Sequence, residues 1–430
     1  MSTPPRSLEL RSDGLLTNRV FLDNPHVTTL LRLLNAGGEE ARVVGGAVRN
    51  ALIGLPPGDI DITTTAMPAA VIARAKAARL RVVPTGIAHG TVTVVVSGSP
   101  FEVTTLREDV ETDGRHAVVE FGRDFVRDAL RRDFTINALS VDAEGRVHDY
   151  ADGLVDLAEG RVRFIGDAST RIREDYLRIL RFFRFSAAYA TGPLDPDGLA
   201  AVAAQAGGLA QLSRERIRAE MLKLLVAPRA SAAIEAMGES SILPTVLGDR
   251  CWPERHARFV AIEAARGSSP DPVLALAALA LRERQDAARL RDRLRLSNDE
   301  RDRLINLAAY VSLREHDPDP PGSHDLAALL FTAGRRTAMD AVTLWHVDGT
   351  AAVNDNGWRT AAQQAAVMPI PSLPVSGADI MAKGIRSGPL VGQVLKRLQA
   401  LWIRSGFPDQ PATLHELLDR AIEDAGNRSD

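Results

Sequence analysis

The sequence predicts an α+β protein: a mixed-sheet head (residues 1–160), then an all-helical neck (161–228), and an all-helical body and tail (229–430). Three observations predict it. Strand and helix patterns alternate through the first third. Beyond about residue 160 strand patterns nearly vanish. The remainder repeats apolar segments at helical spacing, as in "ERIRAEMLKLL" and "RDRLINLAAYVSL". Pro/Gly-rich breaks such as "HDPDPPGSHD" and "MPIPSLPVSG" separate those segments.

Within the head, "NPHVTTLLRLLNAGG" has helical apolar spacing and ends in glycines. "ARVV" reads as a short strand, and "DIDIT" alternates with period two. "PAAVIARAKAARL" reads as a helix with proline in its first turn. "TVTVVV" and "FEVTTL" are β-rich and joined by "SGSP", the pattern of a hairpin.

The chain carries 45% hydrophobic and 25% charged residues and a net charge of −3, so it is no polycation. Nucleic-acid binding would need a local basic surface. The single cysteine, Cys251, excludes an internal disulfide and a thiolate metal cluster and fits a reducing compartment. The N-terminus lacks the apolar core of a signal peptide, and no apolar run approaches the ~20 residues of a membrane span. "VLALAALAL" (273–281) reads as a buried helix. A cytoplasmic protein is expected.

Chemistry concentrates in "VVGGAVRNALIGLPPGDIDITTTAMP" (43–68). Asp59 and Asp61, two apart on a strand, project to one face. Carboxylates that close repel unless a cation lies between them, and hard oxygen ligands suit Mg²⁺. Such pairs also occur in solvated turns. Gly45 and Gly46 sit between a strand and a helix-like run, where backbone N–H groups can approach phosphate. Arg49, one turn on, is placed for bidentate phosphate contact, or is a surface arginine on a tight turn. The combination suits a triphosphate beside a metal pair. It is not a P-loop, because no GK[ST] follows. Glu102, on the next hairpin, either joins this site or faces solvent.

"RRDFTINALSVD" sets Arg132 and Asp133 before an apolar, helix-like run. It reads as a helix start, or as a guanidinium for phosphate with a carboxylate for a sugar hydroxyl. In "RIREDYLRILRFFRF", Asp175 and Arg178 are i, i+3 neighbours on one helix, and Glu174, Arg178 and Arg181 share a face that Arg184 continues. A carboxylate beside a guanidinium could match the hydrogen-bonding edge of a base, or form a plain salt bridge. The interleaved Ile179, Leu180, Phe182, Phe183 and Phe185 bury this helix, and a buried arginine row needs anionic company such as a triphosphate or an RNA backbone. From Arg161 to Arg184 arginines outnumber acids, a local electropositive band.

Taken together, "GGAVRN…DID", "RRDFTINAL" and "EDYLRILRFFRF" resemble the class II tRNA nucleotidyltransferases, the CCA-adding enzymes related to bacterial poly(A) polymerases. Order and spacing match over residues ~40 to ~225, and "KGIRSGPLVGQVLKRLQALWIRSGFP" resembles a tail segment of the same family. The resemblance implies a polymerase-β-like nucleotidyltransferase head with Asp59 and Asp61 on two Mg²⁺. Gly45, Gly46 and Arg49 would hold the triphosphate; Arg132 and Asp133 would contact phosphate and ribose. Asp175 and Arg178 would pair with CTP or ATP in place of a nucleic-acid template, Glu174 would orient Arg178, and Arg181 and Arg184 would support the nucleotide. Residues 108–122 sit where the family has a flexible loop used in switching from C to A addition. Asn50 departs from the family's more usual aspartate. His324-Asp325 reads as a helix start, not a phosphohydrolase motif. Lys383 and "SGPLVG" fit either phosphate contacts or a helix–turn–helix. The implied activity is addition of C, C and A to tRNA from CTP and ATP. The alternatives are a poly(A) polymerase, a split CC-adding or A-adding enzyme, or a non-catalytic RNA-binding scaffold. The last predicts damaged metal carboxylates, whereas both aspartates are present.

Overall fold

A computed structural model describes residues 6–112, 117–314 and 318–426. The chain divides into two compact units, Met1–Pro253 with Asp292–Arg295, and Glu254–Arg291 with Leu296–Asp430.

The first unit is built on a seven-stranded mixed sheet. In chain order its strands are β1 (Ala41–Val44), β2 (Asp61–Thr64), β3 (Arg81–Gly86), β4 (Thr91–Val96) and β5 (Ser99–Thr105). A separate ribbon, β6 (Arg107–Thr112) with β7 (Ala117–Phe121), follows, and β8 (Ser140–Val141) and β9 (Val147–His148) complete the sheet. The spatial order is β3-β4-β5-β2-β1-β8-β9. Only β2 and β5 pair in parallel; the other neighbours are antiparallel. The expected β4–β5 hairpin forms with Val92, Val94 and Val96 inward, and its turn residues Ser97 and Gly98 both have positive φ (49° and 88°). Those dihedrals suit the twist of a two-residue hairpin. The stretch expected to be a mobile loop, 108–122, pairs as the β6–β7 ribbon; its tip, 113–116, lies outside the described residues.

The helices of this unit that bear on function are α1 (Pro25–Leu34), α2 (Gly46–Leu52), α3 (Pro68–Ala77), α4 (Phe125–Leu130), α5 (Gly153–Glu159), α6 (Ala168–Glu174), α7 (Leu177–Tyr189), α8 (Pro196–Ala204) and α9 (Arg214–Leu224). α1 starts where Asn24 caps His26 N and Pro25 fixes the first turn; it buries Val27, Leu30, Leu31 and Leu34, one helical stripe. Three expectations need correction. In "DIDIT" the strand begins only at Asp61. The apolar run after Asp133 is a 3₁₀ turn (Thr135–Asn137) leading into β8, not a helix. The 171–185 stretch is two helices, broken where Asp175 turns extended (φ −155°, ψ 106°) and its carboxylate accepts from Leu177 N at 3.1 Å. An aspartate placed there caps the next helix instead of continuing the last one.

Aromatic packing then joins the segment after α4 to α7. Phe134 is fully buried, its ring centroid 4.8 Å from Phe164 and 5.3 Å from Phe185 of α7. Burying a side chain of this size stabilises by ~1.5–3 kcal/mol. It also fixes the neighbouring Asp133 against α7.

The second unit is helical. Helix Pro272–Ala280 buries all its residues from Val273 to Ala280, as its sequence demands. Ser297 and Glu300 form a capping box for Asn298–Ala308. His324 and Asp325 lie in the first turn of Ser323–Asp348, as expected, and Gly334 (φ 74°) interrupts that helix. Ile380, Val394, Leu398, Trp402 and Leu418 share a small core at the C-terminal end. There Lys383 pairs with Asp419 at 2.7 Å and Gly388 leads into Pro389–Arg404, so this segment is a helix–turn–helix. Among the described residues no helix is long and apolar enough to cross a membrane.

One packing constraint is directly testable. A Cβ on Gly153 would lie 2.4 Å from the Thr135 carbonyl oxygen, in the segment that leads to Asn137. Neither backbone can yield easily, so Gly153→Ala should cost ~1–3 kcal/mol, read as a lowered thermal midpoint.

Candidate active site

The site grows from the C-terminal end of β1. Gly45 has φ 69° and ψ −123°, and its N–H donates to Leu139 O at 3.0 Å. A Cβ on Gly45 would face Arg132 Nη1 at 3.4 Å, and one on Gly46 would face Arg49 Nη2 at 3.6 Å. The glycine pair is thus an open backbone corner between two guanidiniums. The start of β2 lies beside it, with β5 of the hairpin next in the sheet. Asp61 opens β2 antiparallel to Val44 and in parallel register with Glu102 of β5. Asp59 sits on the preceding turn, after Gly58 with φ 70°.

These carboxylates crowd one another. Asp61 keeps an exposed edge, yet its carboxyl is pushed up to about 6. Desolvation is the foremost cause, then Glu102; Arg132 opposes the rise and Asp59 adds to it. Glu102 is solvent-exposed, yet close enough to Asp61 to disfavour its charge. Surplus negative charge on hard oxygen donors is what a divalent cation relieves. Among the described residues no three His, Cys, Asp or Glu side chains are grouped closely enough to hold a metal by themselves.

Arg132 and Arg131 both donate to the buried Asp128 of α4, Arg132 Nη2 at 3.1 Å. Burial opposes its charge, but Arg132 and Arg131 hold Asp128 below the usual carboxylate range. Asp133 is 9% exposed and accepts from Phe134 N (2.8 Å), Asn137 Nδ2 (3.0 Å) and Arg181 Nε and Nη2 (2.8 and 2.5 Å). Burial is again the largest influence; Arg181 and these hydrogen bonds overcome it and lower its pKa.

The α7 arginines carry their own counter-charges, which corrects the expectation that the row needs an outside anion. Arg178 donates to Glu174 at 2.5 Å, Arg181 to Asp133, and Arg184 to Glu220 of α9 at 2.5 Å. Arg161 and Arg163 of the basic band likewise pair with the buried Asp156. The structure joins Glu174 to Arg178, but not the carboxylate of Asp175 to Arg178. Asp175 Oδ2 instead accepts from Arg216 of α9 at 2.7 Å, and only its backbone carbonyl meets Arg178 N, at 3.0 Å.

Arg49 differs. It is 5% exposed and donates to Asn137 Oδ1, to the Tyr189 hydroxyl (2.6 Å) and to Asn50 Oδ1 (3.0 and 3.2 Å). Those contacts use both Nη2 hydrogens, the Nε hydrogen and one Nη1 hydrogen, which leaves the second Nη1 hydrogen without a partner among the described residues. Asn50 also donates to Pro56 O at 3.0 Å, which fixes the loop toward Asp59. Asp128, Asn137, Tyr189 and Glu220 were not singled out from sequence, and Arg216 stood out only as part of the basic band. Asp128, in "FVRDALRRD", had a local signal: it lies three and four residues before Arg131 and Arg132.

With this geometry in hand, relatives are clear. Residues 41–163 match the profile of the Poly A polymerase head domain, 193–254 the RNA and SrmB-binding site of polymerase A, and 271–418 the tRNA nucleotidyltransferase domain 2. The chain is 36% identical to the mitochondrial CCA tRNA nucleotidyltransferase 1 of Danio rerio, over 86% of this chain and 84% of that one. It is 32% identical to the CCA-adding enzyme of Lacticaseibacillus paracasei, over 93% and 96% respectively. Its fold is similar to the CCA-adding enzyme of Bacillus stearothermophilus in complex with CTP, with a TM-score of 0.72 and 28% identity, covering 94% of this chain and 98% of that one.

The carboxylate crowding sets a pH dependence. The folded-state pKa of Asp61 exceeds that of a free aspartate, so its ionisation costs folding free energy, absent below 3.8 and complete above about 6. Carboxyl NMR of the metal-free protein should place its midpoint near 6 and show it fall in Glu102→Gln. That variant should raise the melting temperature at about pH 8 and leave it unchanged at about pH 4; the reverse pattern would remove Glu102 from the cluster.

Proposed function

Because the chain belongs to the CCA-adding tRNA nucleotidyltransferases, we propose that it adds C, C and A in turn to the 3′ end of tRNA from CTP and ATP. One observation carries this most directly. A crowded carboxylate group, Asp59, Asp61 and Glu102, lies next to a glycine corner flanked by Arg49 and Arg132. Uncompensated negative charge beside uncompensated positive charge suits a metal–triphosphate.

Asp59 and Asp61 would hold Mg²⁺, with the nucleotide's phosphates completing the shell. When bound, the metal supplies charge neutralisation at the leaving pyrophosphate and a lowered pKa at the attacking 3′-hydroxyl. Gly45 and Gly46 leave room for phosphate oxygens. Arg132, steadied by Asp128, and Arg49 contribute cationic charge. Asp133 is the acceptor for the ribose, held in place by Arg181 and Asn137. Arg178 supplies donors for the base and Asp175 an acceptor, Glu174 orients Arg178, and Arg181 and Arg184 support the nucleotide. Asp175 can accept a base while keeping Arg216, because a carboxylate has about four lone-pair sites. The head (1–160) would carry the transfer, the neck (161–228) base choice, and the helical remainder (229–430) the grip on tRNA. A cytoplasmic setting agrees with the single cysteine.

The test is a tRNA transcript lacking its CCA end, given Mg²⁺ with CTP, with ATP, then with both. Two residues from CTP and a third once ATP joins are expected. A long tail from ATP alone would make the chain a poly(A) polymerase. Addition that stops at two C, or a single A on a CC end only, would make it one half of a split system. Asp61→Ala should lower turnover by on the order of 10³-fold or more, since ligand loss removes several kcal/mol of charge stabilisation, and leave tRNA affinity intact. Retained turnover would refute the metal assignment. Arg178→Ala should relax the choice between CTP and ATP; unchanged selectivity would refute the amino-acid template.

A further inference from the structure

Among the nucleotide-site arginines, Arg49 is the one with no carboxylate in contact among the described residues. Its acceptors, Asn50, Asn137 and Tyr189, are all neutral. The Tyr189 ring lies over the guanidinium with 3.8 Å between ring centroid and Cζ, and Phe185 flanks it at 5.3 Å. The phenol is itself satisfied, since its hydroxyl donates to Asn50 Oδ1 at 3.3 Å. Neutral partners fix a cation's direction without cancelling its charge, whereas a carboxylate would do both. Burial pushes the Arg49 pKa down, but from so high a starting value that the group stays charged.

The contacts also close a ring. Arg181 on α7 donates to Asp133, Asp133 accepts from Asn137 Nδ2, Asn137 Oδ1 accepts from Arg49, and Arg49 donates to Tyr189, back on α7. The ring starts and ends on the helix that carries Arg178. We propose that Tyr189 and Asn137 are positioning residues, which aim the uncompensated charge of Arg49 at the polyphosphate and tie that charge to the base-reading helix. This rests on the reading of Arg49 as a triphosphate group. Neither residue touches nucleotide in this scheme; each acts through Arg49.

Tyr189→Phe keeps the ring and deletes the hydroxyl. Tripolyphosphate affinity should be measured by calorimetry on the full chain at fixed Mg²⁺ for wild type, Tyr189→Phe, Arg49→Gln and the double variant, with cytidine affinity and melting temperature alongside. Tyr189→Phe should weaken tripolyphosphate roughly threefold to tenfold, the size of one ordinary hydrogen bond, because Arg49 keeps its charge and its other acceptors. Cytidine affinity should stay put, while the melting temperature falls by at most a few degrees because Arg49 loses one buried acceptor. KM for CTP and for ATP should rise by the same factor, with kcat unchanged. The double variant should lose no more than Arg49→Gln alone, since the two share one path. If Arg49→Gln is impaired while Tyr189→Phe binds like wild type, the proposal fails. It also fails if melting temperature and cytidine affinity drop in parallel, which marks a packing role. If Arg49→Gln leaves tripolyphosphate affinity unchanged, the triphosphate reading of Arg49 fails and the proposal with it.

Discussion

The architecture of the site depends on one constraint: α7 carries three half-buried guanidiniums, and each must find a negative partner. The partners come from three different places. Glu174 lies on α6, Asp133 on the segment after α4, and Glu220 on α9. Removing one partner of such a pair leaves an uncompensated charge and typically costs ~3–5 kcal/mol. Electrostatics therefore pins three separate segments to α7, and aromatic packing reinforces the one that carries Asp133. Phe134 supplies the apolar half of the joint and Asp133, next in sequence, the polar half.

Against that balanced background the two imbalances stand out. Negative charge is in surplus at Asp59, Asp61 and Glu102; positive charge is in surplus at Arg49. Everything between them is backbone glycine or an arginine already steadied by Asp128. Opposite surpluses side by side, where most other buried charges are neutralised, are what the proposed metal-bound polyphosphate would relieve.

Much of this was legible in the sequence, where spacing alone decides the outcome. The β4–β5 hairpin followed from alternating valines and a Ser-Gly turn, and the helical remainder from apolar periodicity. The clustering of Asp59, Asp61 and Gly45-Gly46 followed from their place around two short strands. The failures share a cause. The break at Asp175 was missed because i, i+3 spacing looks the same whether an aspartate continues a helix or caps the next one. The internal partners of the arginine row were missed because Asp133 and Glu220 lie tens of residues from the arginines they neutralise. Tyr189 sits at the end of an apolar helix, where a sequence shows an aromatic residue and not the guanidinium beneath its ring.

The extended residue at Asp175 reaches further than local geometry. It uncouples α6 from α7, so the acceptor proposed for base recognition takes its position from Arg216 on α9 as much as from its own helix. Under the proposed function, recognition is therefore distributed over three helices and is not a portable cassette. A chimera that transplanted residues 168–189 into a related enzyme would bring the donor with its support but leave the acceptor's anchor behind. Altering base choice by recombination needs α9 to travel with α6 and α7, and the smallest exchangeable block is the neck itself.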